Sequence, residues 1–298
     1  MTVKMGIDLG GTKTEVLVLD ANQQPLYRER FATPAQDYAA ILTSIEAQVR
    51  RAQSSFGADI TIGIGIPGAL SPRSGKLRNS NTQCLNGREL LRDIESRLQR
   101  EVRIENDANC FALSEARGGA GQGYRVVFGV IIGTGTGGGL VVDGKLLNGP
   151  HAITGEWGHN PLPWWRADDA APECYCGKQA CIETYLSGPG FARNYQHRFG
   201  HSRDSAEIVS AAANGDESCR QMLDCYYDQM ARSLAHLINI VDPDAIVLGG
   251  GMSNIDAIYP AVGARLGDYV FSDYVATPIL KAARGDSSGV YGAALLWE

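Results

Sequence analysis

Basic charge is scarce in this chain. No cluster of five or more Lys/Arg occurs, and 27 Lys+Arg face 33 Asp+Glu, for a net charge of −6. A non-specific grip on nucleic acid needs a basic face, so no nucleic-acid partner is expected. Long apolar runs are missing as well. The stretch 126–132 is among the longest, far short of the roughly 18 residues of a membrane span, so no membrane partner is expected. Charged residues make up 20% and apolar ones 44%, which excludes a mostly disordered chain. There is no low-complexity tract and no short-period repeat. The N-terminal MTVKMGIDLGG enters a strand-like run at once. A signal or transit segment is therefore not expected, and the expected location is the cytoplasm.

The seven cysteines are an odd number in 298 residues, a length that suits roughly two domains. Cys84, Cys110, Cys219 and Cys225 are scattered, whereas Cys174, Cys176 and Cys181 lie close together. Reduced thiols are the expected state without an export signal, so the cluster points to metal before disulfide. With His159 it has the Cys₃His composition of a closed structural zinc site. Unpaired reduced thiols are the plainer alternative. Four protein ligands would leave no open position for water, which disfavours catalytic zinc.

What the chain has in excess is glycine. Its 36 glycines are about 12% of the residues, against an average of about 7%, and many follow apolar β-type runs. Strands are predicted over 3–9 and 15–19, joined by a turn at Gly10-Gly11, with a third over 26–31. Thr33 as N-cap and Pro34 at the first helical position predict a helix to about residue 51. A buried strand over 60–66 ends at Pro67-Gly68, and a short helix over 90–100 leads to a strand over 102–105. A helix over 108–117 follows, and 118–123 (GGAGQG) is the best candidate linker. The theme then recurs: strand 126–132, the glycine run 133–139, strand 140–142. Past an irregular stretch, a long amphipathic helix ends near residue 241, strand 245–248 runs into Gly249-Gly250-Gly251, and 288–296 closes the chain as a helix.

Glycine turns after strands expose backbone N–H groups with no Cβ in the way, so phosphate oxygens can approach closely. The segment Asp8-Leu9-Gly10-Gly11-Thr12-Lys13 adds a carboxylate for Mg²⁺, a hydroxyl and an ammonium. A hairpin that simply needs glycine explains that turn equally well. The second turn, Gly133-Thr134-Gly135 and onward, spends five glycines in seven residues, more than a hairpin needs. The third, Gly249-Gly250-Gly251, ends a buried strand and opens a helix, whose N-terminus attracts anions. Together the three predict a bound nucleotide, although neither the Walker A nor the GxGxxG pattern is met.

Six segments stand out in order: DLGGT at 8–12, ENDAN at 105–109, IGTGTGGG at 132–139, GEWGH at 155–159, CYCGKQACIE at 174–183 and VLGGGMSN at 247–254. They resemble the signatures of the ROK family (repressor, open reading frame, kinase), whose kinases phosphorylate sugars. The resemblance spans nearly the whole chain. It implies the α/β actin-like ATPase (ribonuclease H-like) fold, two α/β lobes with a central cleft. The small lobe would be 1–116 plus 287–298, and the large lobe 117–286 with the zinc-binding loop. It implies ATP and Mg²⁺ on Asp8, Gly10, Gly11, Thr12, Lys13, Gly133, Thr134, Gly135, Gly249, Gly250 and Gly251, and structural Zn²⁺ on His159, Cys174, Cys176 and Cys181. Ala180 stands where the family usually has glycine.

Phosphoryl transfer to a sugar needs a carboxylate beside the attacking hydroxyl. Asp107 follows a strand at the start of a helix, where α/β sheets bind ligands; a simple helix cap is the other reading. By resemblance Asp107 is the catalytic aspartate, and Asn106, Glu156, His159 and Glu183 contact sugar. Gly68 lets backbone approach substrate, and one of Asn79, Asn81 and Thr82, with Asn81 preferred, borders the pocket. Zinc would hold His159 by one ring nitrogen and leave the other for a sugar hydroxyl. The expected activity is ATP-dependent phosphorylation of a hexose 6-hydroxyl. LRNSNTQCLNG and GEWGHNPLPW look closest to fructokinases that also accept mannose, so fructose is the first expectation. N-acetylglucosamine, whose kinases share YLSG at 185–188, comes next, then glucose. A repressor, which would carry a DNA-binding segment ahead of Asp8, and a non-catalytic sugar binder are the rival readings. A homodimer is the expectation by analogy.

Overall fold

The structure, a computed structural model, describes residues 3–297. The chain forms two compact units, and the elements are numbered along the chain. The first unit runs to Gly119 and adds Gly144–Thr154 and the chain from Ala283. The second comprises Ala120–Asp143 and Gly155–Ala282. Gly144–Thr154 therefore clusters with the first unit, although the sequence reading had placed it in the large lobe.

In the first unit, β1 (Val3–Leu9) pairs antiparallel with β2 (Lys13–Leu19), which pairs with β3 (Pro25–Ala32). α1 (Tyr38–Phe56) leads to β4 (Ile60–Ile66), parallel to β1. A small hairpin of β5 (Ala69–Leu70) and β6 (Leu77–Arg78) precedes α2 (Leu90–Leu98). β7 (Arg103–Asn106) runs parallel to β4 and passes directly into α3 (Asp107–Gly118). β10 (Lys145–Leu146) and α9 (Ser288–Ala294) complete the unit. The sheet order is β3-β2-β1-β4-β7. Alternating apolar residues of β1, β2 and β4 (Met5, Ile7, Val16, Val18, Ile62, Ile64) bury against Ile41, Ile45 and Val49 of α1. α9 packs on the sheet through Val290 and Ala294 against Leu17 and Leu19.

One boundary differs from the sequence expectation. α1 begins at Tyr38 with Asp37 as its cap, the Asp37 carboxylate accepting from the N–H groups of Ala39 and Ala40. Thr33 is not free to cap it: its hydroxyl donates to the Gly10 carbonyl at 2.8 Å and meets the Thr14 hydroxyl at 2.8 Å. Bracing the glycine turn has taken the hydroxyl that the helix would have used.

The second unit holds β8 (Val126–Ile132), β9 (Thr136–Val142), α4 (Glu183–Leu186), α5 (Gly188–Phe199), α6 (Ser205–Ala213), α7 (Glu217–Val241), β11 (Ala245–Gly249), α8 (Ile258–Leu266) and β12 (Ile279–Lys281). Its strands lie in the order β9-β8-β11-β12, antiparallel at β9–β8 and parallel beyond. Parallel strands buried on both faces explain why 126–132 and 245–248 read as continuous apolar runs. α7 buries Met222, Tyr226, Met230 and Leu234 in the core. The glycine run at 249–251 opens onto a 3₁₀ turn at Gly251–Asn254 rather than directly onto a helix.

Arg232 on α7 is only 1% exposed. Its guanidinium grips Asp169 with two bonds of 2.8 and 3.0 Å, and its Nε donates to Asp228 at 3.0 Å. Burial alone would push the Asp169 carboxyl up, but the bonds from Arg232, Gln229 and the Arg166 N–H outweigh it and hold the carboxyl below its ordinary range. The pair fastens the irregular stretch before Cys174 to α7, and losing one partner of such a pair costs about 3–5 kcal/mol. Among the described residues, no helix is long and apolar enough to cross a membrane.

Candidate active site

In the first unit, the turn between β1 and β2 closes with Gly10 N–H donating to Lys13 O at 3.1 Å. Thr12 and Lys13 are exposed, so the hydroxyl and the ammonium are accessible to solvent. A Cβ on Gly11 would stand 3.2 Å from Thr82 Oγ1 and 3.5 Å from Asn81 Oδ1. The 79–82 stretch therefore lies against this turn. Thr82 is buried while Asn79 and Asn81 are exposed, which leaves the two asparagines open to a ligand.

Asp8, at the end of β1, keeps some solvent exposure, but its carboxyl is pushed up from 3.8 to about 7. Burial is the main cause, followed by repulsion from Asp107 and Glu15, with Arg30 opposing. Two carboxylates of one unit thus share a region that disfavours both being charged, a pattern typical of cation and active sites.

Asp107 is the first residue of α3, one position past the cap. The cap is Asn106, whose Oδ1 accepts from the N–H groups of Ala108 and Asn109 and whose Nδ2 donates to the Gly68 carbonyl at 3.0 Å. Both polar atoms of Asn106 are therefore engaged structurally, and they tie the Pro67-Gly68 turn to the start of α3. Glu105 Oε1 accepts from Asn109 Nδ2, and its other oxygen accepts from Asn148 Nδ2, each at 3.0 Å. Much of ENDAN therefore braces the start of α3, where the Asp107 carboxylate itself accepts from the Ala108 N–H at 2.8 Å.

In the second unit, the glycine run divides by role. Gly133 N–H donates to Gly135 O at 2.9 Å, forming the turn proper. Gly138 lies within β9, where a Cβ would come 2.7 Å from the Phe128 ring and 3.0 Å from Trp157. Trp157 is buried there, its indole N–H donating to Gly137 O at 2.9 Å. The surplus glycines of 137–139 thus seat the GEWGH turn, and only 133–135 form the loop read as phosphate-binding. Gly250, at φ 85°, abuts the same loop, where a Cβ would be 2.6 Å from Ile132 O.

These two loops open on a cavity of about 650 Å³. Gly133, Thr134, Gly188, Pro189, Ser205, Ala206, Val209, Gly251, Met252 and Ile255 are among its lining residues. Mostly apolar walls, with the polar side chains of Thr134, Ser205, Ser210 and Asn254 among them, suit a flat heterocycle. Sequence reading missed the α5 and α6 side of this cavity, because Val209 and Pro189 look like ordinary helix residues.

The GEWGH turn, a 3₁₀ turn at Trp157–His159, carries Glu156 and His159. Glu183, first residue of α4, accepts from the Thr136 N–H at 2.9 Å and so braces the glycine loop. His159 Nδ1 faces Cys174 Sγ at 3.6 Å, Cys176 and Cys181 sulfurs are 3.6 Å apart, and all four ligand atoms lie within 4.8 Å of one another. A tetrahedral ion with bonds of about 2.3 Å to sulfur would set neighbouring sulfurs about 3.8 Å apart, so the donor set fits zinc in both chemistry and spacing. Burial pushes the Cys174 thiol up and drives Cys181 to about 12. Burial is outweighed at Cys176, where hydrogen bonds from the Lys178 N–H and the other two cysteines hold the thiol down instead. The two raised thiols ionise beside it only against a cation. Ala180, before the last cysteine, adopts φ 54°, the left-handed conformation that glycine takes without strain.

One expectation is corrected. The second nitrogen of His159 does not stand open, because Nε2 lies 3.0 Å from the Tyr175 hydroxyl, the two rings meeting edge to face at 5.2 Å. The loop between Cys174 and Cys176 swings Tyr175 over the imidazole. Burial of its hydroxyl end, then the charges of Glu183, Cys174 and Glu156, push that phenol up to about 12.

The chain is similar to known proteins over nearly its whole length. The model of the ROK family matches residues 4–298. An N-acetyl-D-glucosamine kinase of Shigella flexneri serotype 5b (strain 8401) is 42% identical over 296 residues, covering 98% of each chain. Among solved structures, a ROK hexokinase from Thermus thermophilus is 30% identical with a TM-score of 0.87, covering 98% of this chain and 97% of that one. A ROK family glucokinase from Streptomyces griseus, in complex with glucose and AMPPNP, is 28% identical with a TM-score of 0.78, covering 99% and 98%.

Proposed function

This chain belongs to the ROK family, and from that premise we propose that it is an ATP-dependent kinase whose acceptor is N-acetyl-D-glucosamine, phosphorylated at the 6-hydroxyl. The observation that carries the choice of sugar is the 42% identity, over nearly the full length, to an N-acetyl-D-glucosamine kinase. It displaces fructose, the first expectation from the sequence, in favour of what had been the alternative. Within the tracts that suggested fructose, at 77–87 and 155–164, Asn86 supports Ser80 and Trp157 packs in the core, so only part of each tract is free to face a sugar.

The roles follow from the chemistry of each group. Asp107 takes the proton of the acceptor hydroxyl as the oxygen–phosphorus bond forms. Asp8, the Gly10–Lys13 turn, Gly133–Gly135 and Gly249–Gly251 serve the magnesium nucleotide, with the apolar cavity taking its base. Bound magnesium would neutralise phosphate charge. Glu156, Glu183, Asn81 and the turn at Gly68 contact sugar. Zinc on His159, Cys174, Cys176 and Cys181 would hold the GEWGH turn and the start of α4 in place.

The test is ADP release with ATP and Mg²⁺ across N-acetylglucosamine, glucose, mannose and fructose. N-acetylglucosamine should show the highest kcat/KM by tenfold or more, since a site built for one polar substituent rejects its lack by larger factors than a methylene does. Fructose in first place would reinstate the earlier reading, and no turnover of any sugar would remove the kinase assignment.

A further inference from the structure

Tyr175 as a whole residue is 77% exposed, yet its hydroxyl lies 3.0 Å from His159 Nε2, within the field of Glu183 and Glu156. Hydrogen-bond bookkeeping in this cluster is uneven. Ionised Glu156 and Glu183 can only accept. His159 turns Nδ1 toward Cys174 Sγ; with a metal on the lone pair of that nitrogen, the ring proton would sit on Nε2 and be donated to the Tyr175 oxygen. The Tyr175 O–H is then the proton of this cluster left to point outward.

A sugar hydroxyl can donate, so the two carboxylates serve it without help. An acyl carbonyl cannot donate and needs a donor, and its methyl needs an apolar face. Tyr175 offers both, a proton and an open ring. We propose that Tyr175 is a specificity-determining residue that reads the 2-acetamido group, its hydroxyl donating to the carbonyl oxygen and its ring covering the methyl. The proposal rests on the acetamido-sugar reading above.

The test is direct binding by titration calorimetry on the full-length protein without nucleotide, using N-acetylglucosamine and glucose. Tyr175→Phe keeps the ring and removes the donor, and Tyr175→Leu removes the ring too. Tyr175→Phe should weaken N-acetylglucosamine binding about tenfold, the value of one good hydrogen bond, with glucose affected less than about twofold. Tyr175→Leu should weaken N-acetylglucosamine further. Zinc content and melting temperature should match the wild type in both. Unchanged N-acetylglucosamine binding in Tyr175→Phe, or equal loss for both sugars, overturns the assignment of Tyr175. A wild-type protein that does not prefer N-acetylglucosamine overturns the substrate reading itself.

Discussion

Replacing Asp8 by asparagine should stabilise the protein while abolishing its activity. The carboxyl titrates near 7 in the folded chain against an ordinary 3.8, so the folded state binds its proton more tightly than the unfolded one does. For an acid shifted upward, stability is greatest below the unfolded value and falls as pH rises through the folded value. The loss therefore builds between about pH 4 and pH 7 and is flat above. A shift of roughly three units is worth about 4 kcal/mol at about 1.4 kcal/mol each, and partial exposure of the side chain screens this to about 2 kcal/mol. Asparagine is neutral throughout and of the same shape. At pH 8, without added magnesium or nucleotide, Asp8→Asn should melt about 4–8 °C higher than wild type, and the gap should close by pH 4. Excess magnesium nucleotide should narrow it at pH 8 by stabilising the wild type alone. The assay is a series of melts from pH 4 to 8 paired with ADP release. An Asp8→Asn protein no more stable than wild type at pH 8, or a gap that persists unchanged at pH 4, refutes the reasoning.

Three further outcomes are expected. Asp107→Ala should lower kcat by about 10²–10⁴, the usual loss for a general base, with sugar affinity by calorimetry little changed; a mutant retaining half its activity excludes that role. Removing zinc by a chelator, or replacing Cys176 with Ala, should lower both the melting temperature and sugar affinity, because His159 and the start of α4 are built on the cluster; a metal-free protein with normal KM and melting temperature would contradict this. Ala180→Gly should stabilise by about 1 kcal/mol, relieving the left-handed strain at φ 54°; a destabilised variant would mean that the methyl contributes more by packing than the backbone loses.

Much of the site was legible from residue type and order. Aspartate, paired glycines and threonine after a strand, or three cysteines and a histidine at metal spacing, announce their chemistry locally, because few other reasons place those residues together. The element types were legible too, since apolar periodicity is a local property. Less legible was the division of labour inside a motif. Five glycines in seven residues read as one nucleotide loop, yet Gly138 is there because Trp157 packs on it. Thr33 read as a helix cap, yet its hydroxyl bonds Gly10. In both cases the deciding partner lies far away in sequence.

By itself, then, the amino-acid order determined the family, the two α/β sheets, the candidate base and the four candidate metal ligands, since each depends on short-range pattern and on the chemistry of single side chains. Only the tertiary structure decided that Asn106 caps α3 and ties down the Pro67-Gly68 turn, that Asp107 adds to the cost of ionising Asp8, and that Tyr175 covers the nitrogen of His159. Those facts depend on which side chains the folded backbone brings within a few ångströms, and on how much water it leaves between them.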